Sequence, residues 1–246
     1  MKKLLLTCVA LCLLASSAFA SGLNLTVTAC PNNAGSSNDA GTLDCAGGQI
    51  VTMLATFQPA EAIADLVGID AILYITVNGD VNTTQNFWDI DPTGTGNPTG
   101  MATDHRRPAT GCAAAAGNYT NTWNVASAGS AYGAAIISAS RVRVAAQCQR
   151  PSILAVLLNQ KLFGFQMSID ATTSTESTTG TAMGCTSAAA VSLEQIAPGS
   201  QNNLPVTTLT SPDGASGKGQ SVLFNGASLP TTTSRHSWGQ LKSLYR

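Results

Sequence analysis

The chain has 246 residues, of which 44% are hydrophobic and only 10% are charged, and its formal net charge is −1. High apolar content with low net charge excludes a disordered chain, and near-balanced charge argues against the clustered basic surface that nucleic acids require. Abundant Gly, Ala, Ser, Thr and Asn favour strands joined by turns over long surface helices, which prefer Glu, Lys and Arg.

Residues 1–20 have the pattern of an export signal. Lys2 and Lys3 precede the apolar run LLLTCVALCLL, and Ala18 and Ala20 supply the small residues that a signal peptidase reads. The apolar run is shorter than the roughly 20 residues that a membrane-spanning helix needs, and no later segment replaces it. We therefore predict cleavage after Ala20 and a mature protein, without a transmembrane segment, that is secreted or held at the cell surface. The periplasm is the alternative location.

Five cysteines remain after this cut: Cys30, Cys45, Cys112, Cys148 and Cys185. An exported protein meets an oxidising compartment, in which pairing is expected. Cys30 and Cys45 flank a loop rich in Gly, Asn and Ser and are predicted to pair, which would stabilise the fold by about 3 kcal/mol through loop-closure entropy. Cys148 and Cys185 are the second predicted pair, and the fifth cysteine is free or pairs between molecules. The cysteines lack C-x-x-C spacing, so no metal site is predicted from them.

The first half of the mature chain contains three predicted strands and one short predicted helix. Leu23–Thr28 alternates apolar and polar residues, and Gln49–Phe57 is rich in residues that favour strands. Pro59–Val67 is predicted to form one or two helical turns, because a proline suits the first turn and the apolar residues that follow share one helical face. Ile69–Val77 is the third predicted strand.

Asp89–Cys112 is predicted to be a long loop, since it carries Pro, Gly, Thr and Arg without a strand signal. Loops of this length are often functional. Asp89, Asp91 and Thr93 place oxygen atoms at alternate positions before a glycine, as a calcium-binding loop does, but Gly100 stands where a bidentate Glu is expected. The loop is therefore either a calcium site or an Asx turn with solvated carboxylates. No other cofactor is predicted.

Four residues near this loop are candidates for ligand binding: Trp88, His105, Tyr119 and Trp123. The aromatic rings either form a stacking platform for a sugar or another flat ligand, or fill the ends of a hydrophobic core. His105 is either a ligand-contacting general base or a solvated loop residue. No serine stands in a G-x-S-x-G motif for this histidine to activate, so no catalytic residue is predicted.

Five further strands are predicted in the second half of the chain: Tyr132–Ala146, Gln160–Asp170, Ala188–Ile196, Val206–Thr210 and Ser221–Phe224. In Gln160–Asp170 the apolar side chains predicted to face the core are Phe163, Phe165, Met167 and Ile169. About eight strands with almost no amphipathic helix predict an all-β fold, a two-sheet antiparallel β-sandwich of jelly-roll or cohesin-like type with long loops. The predicted sandwich spans residues 21–228.

Residues 229–246 are predicted to form a spacer and a short helical tail. Ser234–Arg246 carries basic side chains and no acidic ones. The apolar face and the basic C-terminal end of this helix are formed by Trp238, Leu241, Lys242, Tyr245 and Arg246. So short a helix is marginal in water by itself. The tail therefore either docks on the domain or is a tag for an export, anchoring or assembly partner.

The ending W-G-Q-L-K-S-L-Y-R, together with the export signal, resembles that of a set of uncharacterised secreted bacterial proteins with a Trp-Gly-x-x-Lys-x-Leu-Tyr-Arg terminus. Looser similarities occur at Cys30-Pro31, Phe57-Gln-Pro, Leu66-Val-Gly-Ile-Asp-Ala, Leu162-Phe-Gly-Phe and Val191-Ser-Leu-Glu-Gln-Ile. The segments FWDID and DHRRP depart from that pattern. The resemblance implies secretion but no activity and no site residue. The strand order is also distantly similar to cohesin-like sandwiches, a likeness of fold alone.

These features predict a secreted or cell-surface module for binding, adhesion or structure, without catalytic activity. Its predicted partners are a carbohydrate or other surface ligand and a protein that recognises the tail, with no nucleic acid. Two alternatives remain open. One is a secreted, glycosidase-like hydrolase whose carboxylates converge only in the fold. The other is a subunit that assembles into a surface layer or fibre.

Overall fold

The computed structural model describes residues 22–27, 39–81, 86–90, 102–105, 119–158, 160–174, 183–202, 206–210 and 221–228. Strands are the main regular structure of this part, and two sheets pack against each other, which confirms the predicted all-β sandwich. Its single helical element is a 3₁₀ turn, Ala171–Thr173. Within these ranges no helix is long and apolar enough to cross a membrane. The predicted signal peptide and the predicted tail lie outside the described residues.

The described residues form twelve strands: β1 (Gly22–Val27), β2 (Asp39–Gly41), β3 (Ile50–Gln58), β4 (Ile63–Val77), β5 (Ala102–Asp104), β6 (Thr120–Asn121), β7 (Gly129–Ser138), β8 (Arg141–Val156), β9 (Leu162–Asp170), β10 (Ala189–Ser200), β11 (Leu209–Thr210) and β12 (Ser221–Phe224). The smaller sheet has the order β1-β3-β9-β5, with β6 also paired to β9. The larger sheet has the order β2-β12-β10-β4-β8-β7, with β11 also paired to β10. Neighbouring strands are antiparallel except β2 with β12 and β6 with β9.

Every second side chain along the strands faces the interior, as the sequence predicts. The four residues of β9 that were predicted to face the core, from Phe163 to Ile169, are fully buried. In β8 the buried set is Val142, Val144, Ala146 and Cys148, while the residues between them are exposed. A two-residue period is the geometry of a strand with one covered face. Burial of this apolar set is the main force that holds the two sheets together.

The predicted helix at Pro59–Val67 is wrong, because β4 already begins at Ile63. Ile63 pairs with Val156, and Leu66 pairs with Leu154. A helix of one or two turns is marginal alone, whereas the strand gains a ladder with β8 and buries both of these β4 side chains. The segment therefore forms a strand, although its apolar residues have a helical spacing.

Two other strand predictions need correction. Tyr132–Ala146 is not one strand but a hairpin, in which β7 turns at Ala139 and Ser140 into β8. The predicted loop Asp89–Cys112 contains the short strand β5, which pairs with Ser168, Met167 and Gln166 of β9. A three-residue strand has too few side chains to show a periodic pattern, so its pairing depends on the neighbouring strand.

The disulfide predictions are also wrong, because Cys45 pairs with Cys185 across a separation of 140 residues. Cys45 lies in the turn after β2, and Cys185 lies in the turn before β10. Asn225 joins the same end of the sheet, where its side chain donates to the Cys185 carbonyl (2.9 Å) and accepts from the Leu43 amide (3.1 Å). Cys148 is a buried, free thiol on β8 and has no part in this bond. Cys30 and Cys112 lie outside the described residues.

Candidate ligand-binding groove

The three aromatic candidates are core residues, so the stacking-platform hypothesis is wrong. Trp88, Tyr119 and Trp123 expose 0%, 1% and 3% of their surface. The Trp88 indole donates to the Gly184 carbonyl (3.1 Å), and the Trp123 indole donates to the Gly164 carbonyl. A buried indole needs such an acceptor for its N–H group. These rings therefore fill the sandwich, which was the alternative interpretation of the pattern.

His105 follows β5 and is part of a contact between the two sheets. Its Nδ1 atom lies 3.5 Å from Ser130 Oγ and 3.9 Å from Asp104 Oδ1. A catalytic triad uses the two different ring nitrogens for the serine and the carboxylate, whereas here both approach the same nitrogen. The Ser130 hydroxyl also donates to the Thr103 carbonyl (3.2 Å). This cluster joins β5 to β7, and its geometry differs from that of an activated nucleophile.

The calcium hypothesis stays a prediction. Asp89 is half-buried, while Asp91 and Thr93 lie outside the described residues. The described ranges contain no group of three His, Cys, Asp or Glu side chains that could hold a metal ion. The tail candidates Trp238, Leu241, Lys242, Tyr245 and Arg246 also lie outside these ranges.

The outer face of the larger sheet carries a groove across β4, β8 and β7. It consists of three adjoining depressions of about 380, 340 and 280 Å³. Gln147 lines all three, Asp70 lines the first two, and Gln149 lines the last two. We call this surface the outer groove and define it by its outward-facing lining: Gly68, Asp70, Ile72, Gly129, Ala131, Gly133, Arg143, Ala145, Gln147, Gln149 and Gln195.

Strand register explains why a groove forms at this place. Three rows of paired residues cross from β4 through β8 to β7: Ile72, Ala145 and Gly133; Asp70, Gln147 and Ala131; Gly68, Gln149 and Gly129. On this face β7 therefore contributes only glycine and alanine. At Gly129 and Gly133 an added Cβ atom would meet nothing within 4 Å. The floor is low because small side chains leave space beside the long glutamines of β8.

Polar side chains along the groove can both donate and accept hydrogen bonds. Gln147 Nε2 donates to Asp70 Oδ1 (2.9 Å), which orients the central amide. Gln149, Gln195 and Arg143 add further polar groups to the lining. Each amide carries both a donor group and an acceptor atom, while the guanidinium only donates. The groove thus offers a line of hydrogen-bonding groups beside an apolar floor.

A charged cluster borders the groove on β4, β8 and β10. The Arg141 guanidinium lies 3.8 Å from the centroid of the Tyr74 ring and 3.8 Å from Glu194 Oε1. Partial burial raises the pKa of the Glu194 carboxyl, and the nearby guanidinium opposes that rise. Arg141 is held between a ring and a carboxylate, so this cluster supports the sheet next to the groove.

Sequence reasoning missed the outer groove completely. The available signal was the alternation of polar and small residues along β8, with Arg143, Ala145, Gln147 and Gln149 on one side. That pattern is also typical of any solvent-facing side of a strand. Only the pairing with Asp70 on one side and with the small residues of β7 on the other distinguishes a groove from an ordinary surface.

Comparison of the chain with models of protein families, with curated proteins and with solved structures gives no significant match. The interpretation of function therefore depends on the chemistry of the described residues.

Proposed function

We propose that this chain is an exported, non-catalytic binding protein. Its outer groove would hold a neutral, polyhydroxylated ligand such as a carbohydrate chain. The observation that carries this proposal is the row of three adjoining depressions that form the outer groove, with Gly and Ala on the floor and side-chain amides along the row. Its largest depression, about 380 Å³, falls in the usual size range of ligand sites, roughly 300–1,000 Å³.

The amides explain the preference for a neutral ligand with hydroxyl groups. Sugar hydroxyls are donors and acceptors at once, and so are the side chains of Gln147, Gln149 and Gln195. Ile72 and Ala145 present apolar surface on which the C–H face of a sugar ring can pack. The depressions are lined by the acidic residue Asp70 and by the basic residues Arg143 and Arg150, so the lining has no single sign of charge that would select an ionic ligand.

The composition of the lining favours binding over hydrolysis. A glycosidase of the common type needs two carboxyl groups separated by roughly 5–10 Å across the scissile bond. Among the described residues that line the groove, Asp70 is the one carboxylate, and it accepts a hydrogen bond from Gln147. Asp70 is thus suited to orient an amide or to accept from a ligand hydroxyl.

The proposed location outside the cytoplasm is supported by the disulfide bond. Disulfides persist in oxidising compartments and are rare in the cytosol. The bond between Cys45 and Cys185 agrees with the export pattern of residues 1–20.

The test is to screen the protein against an array of neutral oligosaccharides and to compare two groove variants with a control. Gly133→Val adds bulk to the floor at a position where an added Cβ atom meets nothing within 4 Å. Gln147→Ala removes the amide shared by all three depressions. Ala135→Val is the matched control, since this residue is outward and exposed on the same strand but does not line the groove.

We expect the wild type and Ala135→Val to bind the same oligosaccharides with equal affinity. Each groove variant is expected to bind at least about tenfold more weakly, which corresponds to the loss of roughly 1.4 kcal/mol. Titration calorimetry on the array hits measures this difference. The proposal fails if no oligosaccharide binds, or if Gly133→Val and Gln147→Ala bind as well as the wild type.

A further inference from the structure

The described part of the chain contains two Asn-Gly dipeptides, Asn78-Gly79 and Asn225-Gly226. An Asn-Gly dipeptide is chemically prone to deamidation, because glycine has no side chain to hinder attack by its backbone nitrogen on the preceding side-chain amide. Two such dipeptides react at similar rates in an unfolded chain. A difference between them in the folded protein therefore arises from the structure around each asparagine.

The Asn225 side chain is held in place by three hydrogen bonds. Its Nδ2 atom donates to the carbonyls of Cys185 (2.9 Å) and Ser187 (3.3 Å). Its Oδ1 atom accepts from the Leu43 amide (3.1 Å). Asn225 and Gly226 also have the positive φ angles of a tight turn, 53° and 75°. Attack by the Gly226 nitrogen would require the Asn225 amide to leave these hydrogen bonds, so the folded structure opposes the reaction there.

Asn78 and Gly79 lie in an exposed bend directly after β4. The backbone amide of Asn78 donates to the Ala188 carbonyl (2.8 Å), whereas no hydrogen bond within the described ranges holds its side-chain amide. The space beside Gly79 is open, since an added Cβ atom would meet only Ser187 Oγ, at 4.0 Å. The reacting groups of this dipeptide can therefore approach each other without loss of a side-chain hydrogen bond such as those of Asn225.

We propose that Asn78 is a modification site, at which the side-chain amide deamidates spontaneously while that of Asn225 remains intact. The Gly79 backbone nitrogen forms a bond to Asn78 Cγ, and the bond from Cγ to Nδ2 breaks. Ammonia leaves with the proton of the Gly79 amide, and a cyclic succinimide remains. Water then opens the succinimide at either carbonyl, which gives aspartate or isoaspartate and one new carboxylate.

Deamidation at this position changes one end of the larger sheet. The new carboxylate lies two residues from Asp80, so the negative charge of the bend increases. Isoaspartate also lengthens the main chain by one methylene between β4 and Val81. The Val81 amide donates to the Ala139 carbonyl in the turn between β7 and β8 (2.6 Å). The product therefore accumulates charge next to this turn and disturbs its contact with the bend as the protein ages.

Incubation of the purified, folded protein at mildly alkaline pH, followed by peptide mapping with mass spectrometry, tests this site. Electron-transfer fragmentation distinguishes isoaspartate from aspartate. We expect both products to form at position 78 at least about tenfold faster than at position 225, because the hydrogen bonds of Asn225 add to its barrier. In urea, with the disulfide reduced, the two positions should react at similar rates. That measurement is the control for the intrinsic reactivity of the two dipeptides.

Asn78→Gln is the matched variant, since the longer glutamine side chain cyclises much more slowly and position 78 is exposed. Isoelectric focusing of the aged wild type should show a more acidic species, and the variant should form much less of it. The proposal is overturned if position 78 stays intact in the folded wild type or if positions 78 and 225 react equally fast there. It is also overturned if the variant forms the acidic species as fast as the wild type. No ligand is present, so these results are independent of whether the outer groove binds carbohydrate.

Discussion

Removal of the Cys45–Cys185 disulfide provides a sharp test of the energetics of this fold. The bond closes a loop of 140 residues, and such a long loop restricts the unfolded chain strongly. Loop-closure entropy gives about 5 kcal/mol for this length at 25 °C. Typical domains have a total stability of only about 5–15 kcal/mol, so the double variant Cys45→Ala/Cys185→Ala should lose a large part of it.

Urea denaturation of the wild type and of the double variant measures this loss. We expect a much lower midpoint and a steeper dependence on urea, because the unfolded chain without the cross-link exposes more surface. Cys148→Ala is the matched control, since it removes a buried cysteine that is not in a disulfide. This control should cost about 1 kcal/mol, the scale for removing a small buried group. A loss of less than about 1 kcal/mol in the double variant would refute the entropic argument.

Two further predictions concern titratable groups. Burial, with a smaller contribution from Asp104, raises the pKa of the Cys148 thiol to about 12. Iodoacetamide at pH 8 should therefore leave Cys148 unmodified in the folded protein and should label it in urea. Mass spectrometry measures the modification, and labelling of Cys148 in the folded protein would contradict this prediction. Hydrogen bonds from Ser200 and Asn202 hold the pKa of Asp65 below its ordinary value of 3.8. A lowered pKa in the folded state stabilises the protein above pH 3.8, and this contribution is lost as the pH falls further. Asp65→Asn should therefore be less stable than the wild type at pH 6. In urea titrations between pH 4 and pH 2 it should lose less stability than the wild type does. Parallel pH profiles of the two proteins would contradict this role of Asp65.

The shape of the outer groove has its origin in the sequence of β7. The segment GSAYGAAIIS places glycine and alanine at every outward position from Gly129 to Ala135. These small side chains lower the floor of the outer groove. A bulky substitution at Gly133 would therefore fill the groove, whereas one at Ala135, which does not line it, would leave it open.

Local alternation was sufficient to predict most of the strands. β9 occurs where the period of two indicates it, and the four of its apolar residues predicted to face the core are buried. β12 occupies the short segment predicted for it. The reason is that a strand with one covered face imposes its pattern on consecutive residues, which are visible in the sequence alone. Composition likewise indicated an all-β protein.

Two of the errors have a different cause, because they depend on residues far apart in the chain. Pro59–Val67 has a helical pattern, but the ladder with β8 makes Ile63–Val67 part of a strand. Cys45 has Cys30 nearby in sequence, but the packing of the sheet brings its turn next to Cys185.

The outer groove is a further result of long-range register. The amide of Gln147 meets Asp70 across 77 residues and faces Ala131 on the other side. The sequence by itself determined most of the strands and which of their side chains are apolar. Only the tertiary structure decided which strands are neighbours, since the free energy of pairing is a sum over contacts between distant segments. That choice of neighbours placed the disulfide, buried the tryptophans and created the groove.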